Sequence, residues 1–296
     1  MRIYVTGVSG LLGRELSPRL AAAGHELVGS ERLEITAPDG IERAIAAARP
    51  DWVLHLAAYT KVDDAEREPE VAAAVNIAGT VFVARGARMV GARLLYMSTD
   101  YVYDGEKGAP YVEDDRPHPI SAYGRTKLGG EVAATSVVPE ALIVRGGWLY
   151  GAGRGFPAAI LKSALAPGRA PLRVVTDEMG CPTAAGDLAS ALVRLLATRA
   201  RGIVHVANAG GVSRFDLART VLELAGEDPD RVQPITQAEN QRAARRPRAS
   251  VLDLHRFTEL TGAPLRAWEN ALAEHLAGAQ NPGSGAAGMQ PEPVKR

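Results

Sequence analysis

Cysteine is nearly absent: Cys181 is the one cysteine in 296 residues. That excludes an intrachain disulfide and a thiolate metal cluster, and the expected setting is a reducing cytoplasm. Charge of one sign is not in excess either, with 34 Lys+Arg against 34 Asp+Glu. A chain without a global basic field is not expected to recruit nucleic acid or an anionic membrane surface. Long hydrophobic runs are missing, none approaching the roughly 18 residues of a spanning helix. The first residues, Arg2-Ile3-Tyr4-Val5-Thr6-Gly7, read as a strand and not as a signal peptide. What the chain does have is 46% hydrophobic residues. That suffices for one large α/β domain, or for a core domain with a smaller companion.

Short apolar runs alternate with amphipathic stretches through the first half. Strands are predicted at 3–6, 26–29, 52–57, 92–98 and 141–144, and helices at 11–23, 38–48, 69–90 and 122–136. Strands separated by helices argue for right-handed βαβ units and a parallel sheet. After about Gly147 the rhythm loosens, with helices predicted at 215–225 and 265–277. Residues 172–176 read as one more strand and 185–197 as one more helix. The expected fold class is α/β, a Rossmann-type doubly wound parallel sheet over residues 1–147, with 172–199 returning to it. A smaller substrate-binding region is expected over 148–276. Residues 277–296, rich in Gly, Pro, Ala and Gln, are expected to be a disordered tail.

The run Gly7-Val8-Ser9-Gly10-Leu11-Leu12-Gly13 lies between the first strand and the first helix. Glycines there permit a tight turn and close backbone approach to a pyrophosphate, which then sits on the helix N-terminus. Gly7, Gly10, Leu11, Leu12 and Gly13 are therefore the expected dinucleotide site, for NADPH or NADH. The second strand ends near Ser30-Glu31-Arg32. A carboxylate there would accept from an adenosine ribose, whereas an arginine would pair with a 2′-phosphate. Both charges are present, and Arg32 tilts the expectation toward NADPH.

Tyr123-Gly124-Arg125-Thr126-Lys127 opens a predicted helix, and a spacing of four puts Tyr123 and Lys127 on one helical face. An ammonium beside a phenol is expected to lower the tyrosine pKa, so that Tyr123 exchanges protons nearer neutrality. Upstream, the apolar run Leu94-Leu95-Tyr96-Met97 ends in Ser98-Thr99-Asp100-Tyr101. Parallel sheets place ligands at such strand ends, and Thr99 can hydrogen-bond a carbonyl oxygen. With a glycine loop about 110 residues before the tyrosine, the expected activity is reduction of a keto group.

Together these residues resemble the dTDP-4-dehydrorhamnose reductase family of extended short-chain dehydrogenases. The spacing of the glycine run is the one those enzymes use. Further matching pieces are Leu33-Glu34-Ile35-Thr36, Ala57-Ala58-Tyr59-Thr60-Lys61-Val62-Asp63, Trp148, Asp177-Glu178-Met179-Gly180-Cys181-Pro182-Thr183 and Ala244-Arg245-Arg246-Pro247. The resemblance implies reduction of the C4 keto group of a dTDP-6-deoxyhexose to give dTDP-L-rhamnose. It makes Tyr123 the proton donor and Lys127 the partner of the nicotinamide ribose, with Thr99 orienting the C4 oxygen. Glu34 and Ile35 are expected near the adenine, and Ala57, Ala58 and Tyr59 along the cofactor. Asp100, Tyr101 and Trp148 are expected to line the sugar site. One of Arg245 and Arg246 would meet the sugar-nucleotide diphosphate. The family usually carries hydroxyl residues where this chain has Gly146-Gly147, which bears on which sugar fits. Some relatives hold a divalent metal at an acidic dimer contact. Glu15 and Glu274 match in part, and the expectation is no metal, with a homodimer admitted. A 4-ketoreductase of another nucleotide deoxysugar is the alternative enzyme. A non-catalytic NADP-binding subunit like the regulatory β subunit of methionine adenosyltransferase is the alternative from another class.

Overall fold

Strand and helix alternate from the start: β1 Arg2–Thr6, α1 Leu11–Ala22, β2 Glu26–Leu27, α2 Pro38–Ala48 and β3 Trp52–His55. Then follow α3 Val62–Arg67, α4 Pro69–Ala73, α5 Gly79–Met89, β4 Arg93–Thr99, α6 Ala122–Val137 and β5 Leu142–Gly146. The second half holds shorter pieces: β6 Leu149–Tyr150, α7 Phe156–Ala164, β7 Leu172–Val175, β8 Met179–Gly180, β9 Thr183–Ala184 and α8 Ala185–Leu196. It ends with β10 Gly202–His205, β11 Val212–Ser213, α9 Arg214–Leu224, β12 Val232–Ile235, α10 His255–Thr261 and α11 Trp268–Gln280. The computed structural model describes residues 1–29, 33–167 and 170–280.

Six strands form one sheet in the order β10-β5-β4-β3-β1-β2, every neighbouring pair parallel. The alternation within β1 shows why the sheet is covered on both faces. Ile3 and Val5 join a core with Leu12, Leu16 and Leu20 of α1 and Leu188, Leu192 and Leu195 of α8. Tyr4, between them, faces Ile41 and Ile45 of α2 and Val83 of α5. Period two in the strand and a spacing of four in α1 bury both sets together. The chain leaves β1 toward β2 on one side and returns with β3 on the other, so a crevice opens beyond the carboxyl ends of β1 and β3.

A second core gathers Tyr150, Ile160, Val174, Leu217, Val221, Trp268 and Leu272. It corrects one expectation. Leu172–Val175 does not return to the main sheet but pairs in parallel with Val232–Ile235. The sixth strand is β10, Gly202–His205, beside β5. The helix at Ala185–Leu196 packs on α1. The last helix runs to Gln280, so residues 277–280 are helical where a tail was expected; 281–296 lie outside the described residues.

A turn of π-helix at Ala74–Ala78 joins α4 to α5. The stretch Pro69–Met89 is long and apolar enough to span a bilayer by length and composition alone. Here Val83, Ala84 and Ala87 of that stretch are fully buried in the core shared with α2.

Candidate active site

The crevice is a cleft of about 810 Å³ that runs from the glycine run to Trp148. At one end Gly7 leaves β1 with φ +73° and lies against Ala57, where a β-carbon would stand 2.7 Å from the Ala57 backbone nitrogen. Gly13 packs onto the loop itself, since a β-carbon there would stand 2.6 Å from Val8 Cα. At Gly10 the only neighbour of an added β-carbon is the Gly7 carbonyl at 3.1 Å, and beyond it lies the cleft. Gly10 is the N-cap of α1 and brings no side-chain cap, and no acidic residue sits in the first turn. The first-turn N–H groups and the positive end of the helix dipole thus face the cleft, as an anion requires. Leu11, Leu12, Glu34, Ile35, Ala57 and Ala58 also line it. The Glu34 carboxylate accepts from the Thr36 hydroxyl at 2.9 Å, which shapes that turn.

At the far end β4 delivers Thr99, Asp100 and Tyr101, and α6 delivers Tyr123 and Lys127. The start of α6 is held firmly. Ser121 caps it by accepting from Gly124 N–H at 3.1 Å, and Glu66 accepts from Ala122 N–H at 2.6 Å. Lys127 is 2% exposed; its Nζ donates to the Met97 carbonyl at 2.7 Å and stands 4.2 Å over the Tyr96 ring. Burial lowers the lysine to about 7, with the Glu131 charge opposing. Tyr123 does not show the expected depression. Burial pushes its phenol well up, a hydrogen bond with Thr99 opposes this, and the Asp100 and Tyr101 charges add to the rise. The ammonium is spent on Met97, so desolvation dominates. The phenol keeps its proton at neutral pH, as a donor must.

Trp148 takes a left-handed backbone, φ +32°, which turns its indole across the cleft. Gly180 lies flat against one side, where a β-carbon would stand 2.6 Å from the indole nitrogen. The Arg214 guanidinium covers the ring, 3.4 Å from its centroid. Arg214 also hydrogen-bonds the Tyr101 hydroxyl and approaches Glu178 at 3.8 Å. Arg214 was invisible in the sequence, because nothing local to the start of α9 marks it.

Three expected residues do not line the described cleft. Tyr59 turns away: its hydroxyl donates to Glu68 at 3.0 Å, and its backbone is gripped by Asn76. Arg246 is committed to Asp63, with contacts of 3.1 and 2.6 Å. Arg245 is exposed and outside the cleft. Arg32 lies outside the described residues. Among the described residues no group of three His, Cys, Asp or Glu side chains converges as a metal site. Glu15 pairs with Arg19 and Glu274 with Arg266.

Three further polar groups escaped the sequence reading. Asn76, on the π turn, joins the Tyr59 backbone to the Thr126 hydroxyl of α6 at 3.0 Å. Glu131 forms a buried pair with Arg145 at 2.6 Å and accepts from Ser98 beside the cleft. Ser250 reaches Asp100 from far along the chain. Only the second carried a local signal, since Glu131 follows Lys127 by four and shares its face.

Residues 1–281 match the family described as the RmlD substrate binding domain. A dTDP-4-dehydrorhamnose reductase of Mycolicibacterium smegmatis is 41% identical over 280 residues, covering 93% of this chain and 85% of that protein. The chain belongs to the dTDP-4-dehydrorhamnose reductase family. A protein of Streptomyces antibioticus, described as a probable dTDP-4,6-dihydroxy-2-methyloxan-3-one 4-ketoreductase, is also 41% identical, over 93% of this chain and 94% of that one. A solved reductase of the family from Bacillus anthracis, in complex with NADP, superposes with a TM-score of 0.87 at 33% identity. It covers 93% of this chain and 98% of that one. The family and the central parallel sheet with flanking helices agree with what the motifs led one to expect.

Proposed function

We propose that this chain reduces the C4 keto group of a dTDP-4-keto-6-deoxyhexose, with dTDP-4-dehydro-L-rhamnose as substrate and dTDP-L-rhamnose as product. It is an NAD(P)-dependent oxidoreductase, and NADPH or NADH supplies the hydride when bound. The observation that carries the reading is the convergence of Thr99, Tyr123 and Lys127 at one end of a cleft whose other end is the glycine run. The residues fit a dinucleotide. Gly10 leaves open space where a β-carbon would intrude, and the start of α1 offers unclaimed N–H groups. Gly7, Gly10, Leu11, Leu12 and Gly13 would hold the pyrophosphate, and Lys127 the nicotinamide ribose.

Tyr123 donates its proton to the keto oxygen as negative charge develops there, which is the stabilisation a ketone needs to accept hydride. Asp100, Tyr101 and Trp148 hold the sugar, and Trp148 is itself held by Gly180 and Arg214. A second reading is favoured by the Streptomyces antibioticus relative at equal identity: a 4-ketoreductase for another nucleotide deoxysugar. Gly147 supports it, because it leaves the space beside the Asp100 carboxyl without a side chain. The two readings separate by turnover on a panel of dTDP-4-keto-6-deoxyhexoses with product identification by NMR. Preferred conversion of dTDP-4-dehydro-L-rhamnose supports the first, and a marked preference for another sugar supports the second.

We further assign the diphosphate to Arg245, which is exposed with no ion pair among the described residues, and a structural role to Arg246, which Asp63 holds. Arg245→Ala is expected to raise KM for the nucleotide sugar with little change in melting temperature. Arg246→Ala is expected to lower the melting temperature. Its pH dependence follows from Asp63, which the Arg246 hydrogen bond holds down at about 2. A depressed carboxylate contributes stability above its unfolded value and loses it as pH falls through the folded one. The melting difference between parent and Arg246→Ala should therefore be present at neutral pH and vanish as pH falls from about 4 to 2. Equal KM in the parent and Arg245→Ala would remove Arg245 from the site.

A further inference from the structure

Among the described residues three cations line the cleft, and two of them are occupied. Lys127 is spent on the Met97 carbonyl, and Arg214 covers Trp148. The third is Arg154, which is exposed and has no hydrogen-bond or ion-pair partner for its guanidinium among the described residues. An exposed arginine is ordinary in itself. What singles this one out is where its backbone is held. Arg154 comes from the loop between β6 and α7, and that loop is a tight hairpin. Gly151 N–H donates to the Arg154 carbonyl at 3.2 Å, and Arg154 N–H donates to the Gly151 carbonyl at 2.8 Å. The two residues between them, Ala152 and Gly153, both have positive φ, +43° and +70°. That is the signature of a two-residue I′ turn, which glycine adopts freely and alanine does not. The reciprocal hydrogen bonds hold Ala152 in it, so Arg154 leaves the backbone at a fixed place.

The root of the hairpin is packed against the start of α1. A β-carbon at Gly151 would stand 3.5 Å from Leu11 Cδ1 and 3.2 Å from the Ala185 β-carbon. Leu11 is the first residue of α1, whose N-cap Gly10 brings no side chain to its N–H groups. The hairpin itself belongs to the second core, through Tyr150 before it and Ile160 of α7 after it. The helix it approaches belongs to the first core, through Leu12, Leu16 and Leu20.

From this placement we propose that Arg154 is a second ligand of the cofactor pyrophosphate, reaching it from the core opposite to α1. The proposal rests on the reading of the glycine run as the dinucleotide site. The start of α1 offers a pyrophosphate N–H groups and a partial positive charge. A guanidinium adds a full charge and a planar fork of donors that suits phosphate oxygens. Two other anions could enter the same cleft, and position argues against both. Glu34 and Ile35, expected near the adenosine, follow β2, and Ile35 packs in the core on the other face of the sheet from α1. A 2′-phosphate on that ribose lies away from the hairpin. The sugar nucleotide is assigned to the end formed by Asp100, Tyr101 and Trp148, where Arg214 is the nearby cation. Because Arg154 and α1 belong to different cores, a dinucleotide held by both ties them together across the cleft.

The experiment is titration calorimetry of the full-length protein with NADPH, NADH and dTDP, on the parent, Arg154→Ala, Arg154→Lys and Gly10→Val. Arg154→Ala should weaken NADPH and NADH by the same factor, about tenfold to a hundredfold, the range for lost hydrogen bonds to a charged group. Its affinity for dTDP and its melting temperature should stay parental, since the side chain touches nothing in the protein that it stabilises. Arg154→Lys keeps the charge without the fork and should lose less. Added salt should narrow the gap between the parent and Arg154→Ala, because the pair is open to solvent. Equal NADPH affinity in the parent and Arg154→Ala overturns the assignment. A loss confined to NADPH, with NADH unchanged, moves the contact to the 2′-phosphate and overturns it too. So does a loss confined to dTDP. Gly10→Val separates failure of the proposal from failure of the reading beneath it. If Gly10→Val loses NADPH and Arg154→Ala does not, the arginine alone is wrongly placed. If Gly10→Val binds NADPH as the parent does, the glycine run is not the pyrophosphate site and the role of Arg154 falls with it.

Discussion

Tyr123→Phe is expected to lower the single-turnover rate by roughly a hundredfold to ten-thousandfold, the usual range for loss of a general acid. The substitution removes one oxygen and no carbon, so the edge contact of the Tyr123 ring with Tyr101, 5.9 Å between centroids, should persist. Folding and cofactor affinity should then stay near those of the parent. A group that stays protonated at neutral pH is available as a donor. Parental turnover in Tyr123→Phe would refute the mechanism.

The second large effect separates two glycines of one loop. Gly10→Val is expected to weaken NADPH binding by more than about a hundredfold, or ~2.7 kcal/mol, while the protein melts near the parent temperature. An added β-carbon at Gly10 meets only the Gly7 carbonyl at 3.1 Å, and the N-cap conformation, φ −72° and ψ 174°, is one that valine adopts. On the proposed cofactor placement the larger clash is with a bound pyrophosphate, while the Gly7 carbonyl need give by only a few tenths of an ångström. Gly13→Ala is expected to behave in the opposite way. Its β-carbon collides with Val8 and the Gly7 carbonyl inside the loop. That overpacking should cost about 1–3 kcal/mol of stability and disturb binding only as a consequence. Titration calorimetry with NADPH and thermal melts on both variants check this. A Gly10→Val protein that binds like the parent would remove the glycine run from the cofactor site.

What could be read from the sequence is what the local chain encodes. The strand-helix alternation of the first half showed because apolar spacing switches between two and four residues along it. Tyr123 and Lys127 could be paired because four residues on one helix fix their common face. The sixth strand was missed because Gly202–His205 holds only two apolar residues, Ile203 and Val204, in the half of the chain where the strand-helix alternation loosens. Leu172–Val175 was rightly read as a strand and wrongly joined to the main sheet. Its partner lies sixty positions downstream, and apolarity does not name a partner. The same limit hid the wall of the site. Asp100 and Ser250 are 150 residues apart, and Asp63 and Arg246 are 183 apart. Arg246 drew attention as a phosphate ligand because two adjacent arginines before a proline suit an anion site. Only the fold shows that Asp63 already holds it. The expected lowering of the Tyr123 pKa failed for a related reason. Spacing brings Lys127 to the right face of its helix, but the Met97 carbonyl that captures its ammonium comes from strand β4.

The most direct test of the account is isotope transfer. The parent protein is incubated with dTDP-4-dehydro-L-rhamnose and NADPH carrying deuterium at the transferable C4 position, and the sugar product is examined by NMR. The predicted result is dTDP-L-rhamnose with one deuterium at sugar C4 and none elsewhere, formed at a greatly reduced rate by Tyr123→Phe. Deuterium that remains on the nicotinamide with every keto sugar offered, or that reaches a sugar carbon other than C4, would contradict it.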